Sequence, residues 1–533
     1  MRVVLRMFLL VLVGSVSLGS AWAQLPVCPQ RPLPGSPVNN PVDVYSQNGV
    51  LRVDLTLQNA VDDSGYMHYC YNYMYQGQLI EAPTLRLNPG DRLIVNLTDN
   101  IQAPYNRNGK KKTTHMHMHA AKKGKAPADD CNGNEVLPSS TNIHFHGLNV
   151  PPVCHQDEII NTVIESGDPA FQYSLQIPAN EPPGMYWYHP HVHSNTSTQV
   201  DGGAAGALIV EGPIPQGLNE RILIMREQTK TGPARDPDEN TQVTLNFQPA
   251  IYPEHGLPPM ITMQPGAQEY WRFLNASVKQ FTSLQLTYGD QLQQFQVLSI
   301  DGVQLQTPIV TDTLYIPPAG RMEFIVPGLP AGQTGTFITN GFDTGPVGDR
   351  NEAHVLAQLT TSGSQHPQSQ MAHTVKPPKQ PVRFSGLLTQ SPATTRSLYF
   401  SEQNVGTNGG TQFYLTVSGK VPRLFHMDDP PAIVTHVGAV EDWTIENHSG
   451  EVHAFHIHQI HFLVLAINGV PLTNPYLSDT IIVAPWLGNG PYPSVTLRMD
   501  FRDPEIAGTF VYHCHILDHE DGGMMAKIQV NPN

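Results

Sequence analysis

Charge is scarce in this 533-residue chain: Asp, Glu, Lys and Arg together make up 14%, and 45 acids outnumber 30 bases. The formal net charge of −15 at pH 7 argues against a nucleic-acid partner, which would call for a basic face. Past the N-terminus no apolar run is long enough to span a bilayer. Cysteine is sparse too, at five. In place of charge there is turn chemistry: 48 Pro and 44 Gly favour short strands and tight turns over helical bundles. The length suits roughly two to four domains of ordinary size.

The densest chemistry lies near the C-terminus, in His513-Cys514-His515-Ile516-Leu517-Asp518-His519 followed by Gly522-Gly523-Met524. A soft thiolate, an imidazole and a weak thioether make the ligand set of a blue-copper electron-transfer site. On an extended strand His513 and His515 point to the face opposite Cys514. Cys514 can then serve one metal while its two neighbours serve another, so that one strand wires two centres together.

The first residues have the pattern of a secretory signal. Arg2 and Arg6 precede the apolar stretch Met7 to Val16, and Ala21-Trp22-Ala23 offers a small-x-small cleavage site before Gln24. Residues 1–23 are therefore expected to be removed and the protein to be exported, periplasmic or secreted; the absence of adjacent arginines favours general secretion. With Cys514 reserved as a ligand, Cys28, Cys70, Cys131 and Cys154 remain. An even number in an oxidising compartment suggests disulfides. Pairing Cys131 with Cys154 and Cys28 with Cys70 is one choice; the sequence leaves the connectivity open, and buried free thiols are the alternative.

A weak repeat organises the chain. Asn88-Pro89-Gly90-Asp91, Gln264-Pro265-Gly266-Ala267 and His436-Val437-Gly438-Ala439 each lead into a β-prone run that stops near Asn100, Asn275 or Asn447. The expected fold is all-β, with three consecutive β-sandwich domains at 24–214, 215–378 and 379–533. Ser364 to Pro381 reads as a linker, and 106–131 as a basic surface insertion in the first domain.

Three more histidine clusters accompany the C-terminal one: His144-Phe145-His146-Gly147, His189-Pro190-His191, and His453-Ala454-Phe455-His456-Ile457-His458. The second domain has nothing comparable. A His-x-His pair on one strand holds its imidazoles roughly 6–7 Å apart, too far for easy chelation of one ion and well placed for two neighbouring ions. A single such pair is weak; four, one of them containing Cys and a spaced Met, are specific.

With these motifs complete and in order, the chain resembles the multicopper oxidases, closest to the bacterial three-domain, laccase-like type, over essentially its whole mature length. The resemblance implies cupredoxin-like Greek-key domains and four copper ions. His453, Cys514 and His519 would hold the type 1 copper, with Met524 axial. His144 and His456 would hold the type 2 copper, and His146, His189, His191, His458, His513 and His515 the type 3 pair, between the first and third domains. The second domain would be a spacer. A reductant would give single electrons to the type 1 site, and dioxygen would be reduced to water at the trinuclear site. Asp157 and Glu520 stand near places where family acids relay protons.

Copper-efflux oxidases carry Asp and several Met before the third motif. Here that stretch is Asn447-His448-Ser449-Gly450-Glu451-Val452. The missing Met residues favour a phenolic or other aromatic reductant over cuprous or manganous ion, with Glu451 near the type 1 edge. A copper-binding or structural protein of the same fold with little turnover is the alternative of another class. A two-domain nitrite reductase is disfavoured by the third repeat. His193 extends the 189/191 alternation and is expected beside the site; His461 is expected to pack or hydrogen-bond locally. His115, His117 and His119, alternating with Met116 and Met118 in the insertion, are a candidate for an additional copper, weighed against a surface loop without catalytic need.

Overall fold

The computed structural model describes residues 28–62, 65–102, 131, 133, 135–213, 215, 217–229, 241–253, 256–363, 382–406 and 410–533. The stretches read above as a signal (1–23) and a linker (364–381), and nearly all of 106–131, with His115, His117 and His119, lie outside the described residues. Among those described, the strands form six sheets, two from residues 43–210, two from 219–361 and two from 394–531. This is the expected architecture of three two-sheet sandwiches. No helix of the described residues is long and apolar enough to cross a membrane.

The sequence repeat occupies the same position three times. Arg92–Asp99 lies parallel to Val50–Val61, Glu269–Asn275 parallel to Asn219–Thr229, and Ala439–Asn447 parallel to Thr394–Asn404. Each also has an antiparallel neighbour on its other edge, namely Phe171–Gln176, Arg321–Val326 and Ser494–Phe501. The second and third copies share an inner detail. Trp271 Nε1 donates to Glu269, and Trp443 Nε1 to Glu441, each at 2.8 Å; Arg221 and Arg396 pair with the same two carboxylates.

Strand alternation decides where the histidines go. Val50–Val61 buries every second residue, as a strand with one face on the core must. Gly184–His189 is buried along its whole length because both faces are covered. Tyr186 and Tyr188 face the first sandwich's core, while Met185 and Trp187 pack with Ile222, Ile224 and Leu274 of the second. His189 ends that strand and stands opposite His144 of the short strand His144–His146. In the third sandwich Gly508–Cys514 pairs with His453–Ile457, placing His456 opposite His513 and Phe455 opposite Cys514.

Cys28 bonds to Cys70 and Cys131 to Cys154, and Cys514 is the free, buried cysteine.

Candidate metal centre

Cys514 Sγ lies 3.5 Å from His453 Nδ1 and 3.9 Å from His519 Nδ1, and those two nitrogens are 3.3 Å apart. Met524 is buried in the same core, and its carbonyl accepts from Cys514 N–H at 3.0 Å. Outer partners fix the two rings: Ser449 Oγ and Glu402 Oε1 lie 2.8 and 3.2 Å from His453 Nε2, and Glu451 Oε2 lies 3.5 Å from His519 Nε2. Oxygen at Nε2 leaves Nδ1 as the lone-pair donor. Burial pushes the Cys514 thiol well above its ordinary range and holds both imidazoles below theirs. Two neutral nitrogens and a buried sulfur, with one thiol proton among the three, fit a soft cation, which would displace that proton and draw out the thiolate.

Eight further histidines meet on the other side of Cys514, all buried. His513 Nε2 is 3.3 Å from His191 Nε2 and 3.2 Å from His458 Nε2. Two nitrogens bound to one ion at about 2.0–2.1 Å are separated by about that much. His146, His189 and His515 form a second convergent group, and His144, His146 and His456 a third. Within this cluster His144 Nε2, His189 Nε2, His456 Nε2 and both ring nitrogens of His515 are buried without a hydrogen-bond partner. A set of unsatisfied buried nitrogens facing one another is costly unless a metal completes it. Burial, reinforced by neighbouring imidazoles, holds His146, His189, His191, His456, His458 and His515 well below the usual histidine range. Burial also lowers His513 to about 3. Neutral imidazole is the form that ligation requires.

Both sequence-predicted acids are in this region. Asp157 is buried, with each carboxylate oxygen 3.0 Å from His144 Nδ1; it accepts from Phe145 N–H at 2.9 Å and Gln459 Nε2 at 2.5 Å. It therefore orients His144 with Nε2 inward. Glu520 follows His519 in sequence, yet its carboxyl faces the other group: Oε1 is 3.6 Å from His191 Nδ1 and accepts from Thr196 Oγ1 at 3.5 Å. Burial, then the charge of Asp521, raises its pKa well above the carboxylate range.

Two expectations need correcting. Gly184–His189 ends before His191, so His193 does not share a strand face with its neighbours; it packs edge-on to Phe425 with ring centroids 5.2 Å apart. The second sandwich does more than space the others, because its Arg321 reaches Asp479 of the third at 2.8 and 2.6 Å. Asp479 lies 3.2 Å from His146 Nε2, and its carbonyl is 2.8 Å from His456 Nδ1. Neither residue was found from sequence. The one available signal was a lone acid interrupting the β-prone run from Leu477 to Val483. His461 behaves as expected, with Nε2 2.8 Å from the Asp301 carbonyl.

Family models described as multicopper oxidase match residues 131–214, 220–358 and 394–533. The chain belongs to the multicopper oxidases, copper-dependent oxidoreductases that use dioxygen, and its three sandwiches are cupredoxin-like. It is 24% identical over 495 residues to the multicopper oxidase mco of Staphylococcus aureus, covering 91% of this chain and 89% of that one. Its fold is similar to a Campylobacter jejuni multicopper oxidase described as a metallo-oxidase, with TM-score 0.67, 22% identity and 94% and 96% of the two chains covered. It is also similar to a laccase-like oxidase from Ochrobactrum sp. with activity towards lignin model compounds, with TM-score 0.64, 20% identity and 93% and 100% covered.

Proposed function

We propose that the chain oxidises a small reductant in one-electron steps at the His519 edge and delivers the electrons to dioxygen at the histidine cluster. One observation carries this reading: Cys514 belongs to one ligand group, while His513 and His515 on either side of it belong to the other. In this reading His453, Cys514, His519 and Met524 hold type 1 copper, and His144 and His456 hold type 2 copper. His146, His189, His191, His458, His513 and His515 hold the type 3 pair. When bound, four coppers cycle between two oxidation states and couple four one-electron oxidations to reduction of dioxygen to two waters. The chain supplies the covalent path through Cys514 to both flanking histidines. Asp157 keeps His144 in its ligating tautomer, and Glu520, beside His191, is placed to hand a proton inward. The two disulfides support an exported protein.

The reductant site is a cavity of about 750 Å³ that reaches His519 and is lined by Phe413, Trp486, Glu402, Glu451 and Asp518. Phe413 stacks on His519 at 4.0 Å. The aromatic walls suit a phenol, whose oxidation releases one electron to the site and one proton to a carboxylate. The same acids favour a second reading, a metal ion losing one electron. Oxygen uptake by the copper-loaded protein, compared for a phenol and for cuprous or manganous ion, separates the two. Faster uptake with the phenol supports the first. Uptake with neither reductant at full copper loading would overturn the oxidase reading and leave a copper-binding protein of this fold.

A further inference from the structure

Arg321 touches all three sandwiches from a fully buried position. Its Nε donates to the Met185 carbonyl of the first at 3.2 Å, and its Nη1 to the Ala319 carbonyl of its own at 3.1 Å. Its two terminal nitrogens grip both oxygens of Asp479 in the third. Asp301, also of the second sandwich, lies 3.4 Å from the guanidinium and accepts from the Arg321 N–H and from the Ser478 hydroxyl. Asp479 is thereby held in one plane by a bidentate fork, which a lysine cannot reproduce.

What Asp479 holds in turn is the pair of rings on either side of the sandwich interface. Its carboxylate faces His146 Nε2 from the first sandwich, and its carbonyl faces His456 Nδ1 from the third. Those contacts place the ring protons outward and leave His146 Nδ1 and His456 Nε2, both buried and without a hydrogen-bond partner, pointing into the cluster. The two rings stack with centroids 4.0 Å apart. The ion pair also lies against the backbone that follows His146. A Cβ on Gly147 would stand 2.6 Å from Arg321 Nη2 and 2.8 Å from Asp479 Oδ2, at a φ of +89°. Glycine in the His144-Phe145-His146-Gly147 motif is thus explained by the approach of the Arg321–Asp479 pair.

We infer that Arg321 is a positioning residue for the His146 and His456 part of the centre: the sandwich that supplies no ligand sets the tautomer and orientation of ligands supplied by the other two. The inference rests on the ligand reading given under Proposed function.

The test compares the copper-loaded protein with Arg321→Lys, which keeps the charge and loses the fork. Because removing one buried partner can prevent folding, a second variant, Arg321→Met with Asp479→Leu, replaces the whole pair by apolar side chains. Copper per chain, the separate type 1 and type 2 paramagnetic resonance signals, and Tm are measured for each. The expected result is an intact type 1 signal, an altered type 2 signal, and type 2 copper lost to a chelator at about 10- to 100-fold lower concentration than in the parent. The double variant should show the larger change. An unchanged type 2 signal and copper affinity in both folded variants overturns the inference. Equal loss of both signals with a lowered Tm overturns it too, since Arg321 would then be supporting the fold alone. A parent protein that binds copper but shows no type 2 signal would instead defeat the ligand reading itself.

Discussion

The Cys514 group and the histidine cluster lie on opposite sides of one strand end and are built on different plans. His453, Cys514, His519 and Met524 all come from the third sandwich: Cys514 and Met524 lie in its hydrophobic core, and the two rings pack on Phe400 and Phe413. The eight histidines are divided between the first and third, four from each, in convergent groups that mix the two sources. One site is made when a domain folds; the other is made only when two domains dock. The second kind needs residues whose task is registry across an interface, and Asp157, Asp479 and Arg321 are of that type. Asp157 of the first sandwich reaches Gln459 of the third, and Arg321 of the second reaches Asp479 of the third.

The contrast breaks most severely at the residue that joins the two sites through its chain neighbours. Cys514→Ser should abolish the blue absorption and lower turnover by more than about 100-fold, because changes even to outer partners of ligands cost about 10- to 100-fold; spectroscopy and oxygen uptake check it. Gly147→Ala should cost about 1–3 kcal/mol from overpacking alone, with more from the left-handed backbone. In a denaturant titration of the copper-loaded protein it should disturb the shared cluster and spare the type 1 spectrum. Asp157→Asn should slow reoxidation by dioxygen about 10- to 100-fold while anaerobic reduction of the type 1 site by the reductant stays at the parent rate, a difference stopped-flow absorbance resolves.

The junction itself has a predictable pH response. Glu227 of the second sandwich is buried, and burial raises its pKa from 4.5 to about 8, with Asp201 of the first sandwich and Asp518 of the third adding to the shift and Lys279 opposing it. A carboxyl raised on folding contributes stability that is full below its unfolded value and is lost as pH climbs through the folded one. The loss therefore falls between pH 4.5 and about 8, at no more than about 1.4 kcal/mol per pH unit. Glu227→Gln should flatten the fall in denaturation midpoint across that window. A slope equal to the parent's would remove Glu227 from the account. The smallest expected difference is at the one-domain site: Glu402→Gln should lower kcat/KM several-fold more for a metal-ion reductant than for a neutral phenol, the loss of its contact with His453 being common to both. Equal losses for both would mean that the carboxylate acts on His453 rather than on the substrate.

What the sequence made legible follows the same division. His-x-His and Cys-flanking motifs are visible because a strand places alternate ligands within three residues, and the repeat is visible because Gly90, Gly266 and Gly438 turn the chain into equivalent central strands. Asp479 and Arg321 were hidden because each is a single residue whose meaning arises from a contact 158 positions away. His193 was misplaced because alternation was continued past Pro190, where the strand had stopped. Glu520 was found by adjacency to His519, although the short helix Leu517–Asp521 carries its carboxyl to His191 of the histidine cluster.

The bond between Cys131 and Cys154 closes a ring that contains both His144 and His146, with Asp157 three residues beyond it. In the sequence, the basic stretch 106–131 meets this ring at Cys131. Changes in the insertion's length or composition are therefore insulated from the ligand loop by a covalent boundary. The span that holds His144 and His146 is thus bounded by a covalent bond as well as by the hydrogen bonds of Asp157.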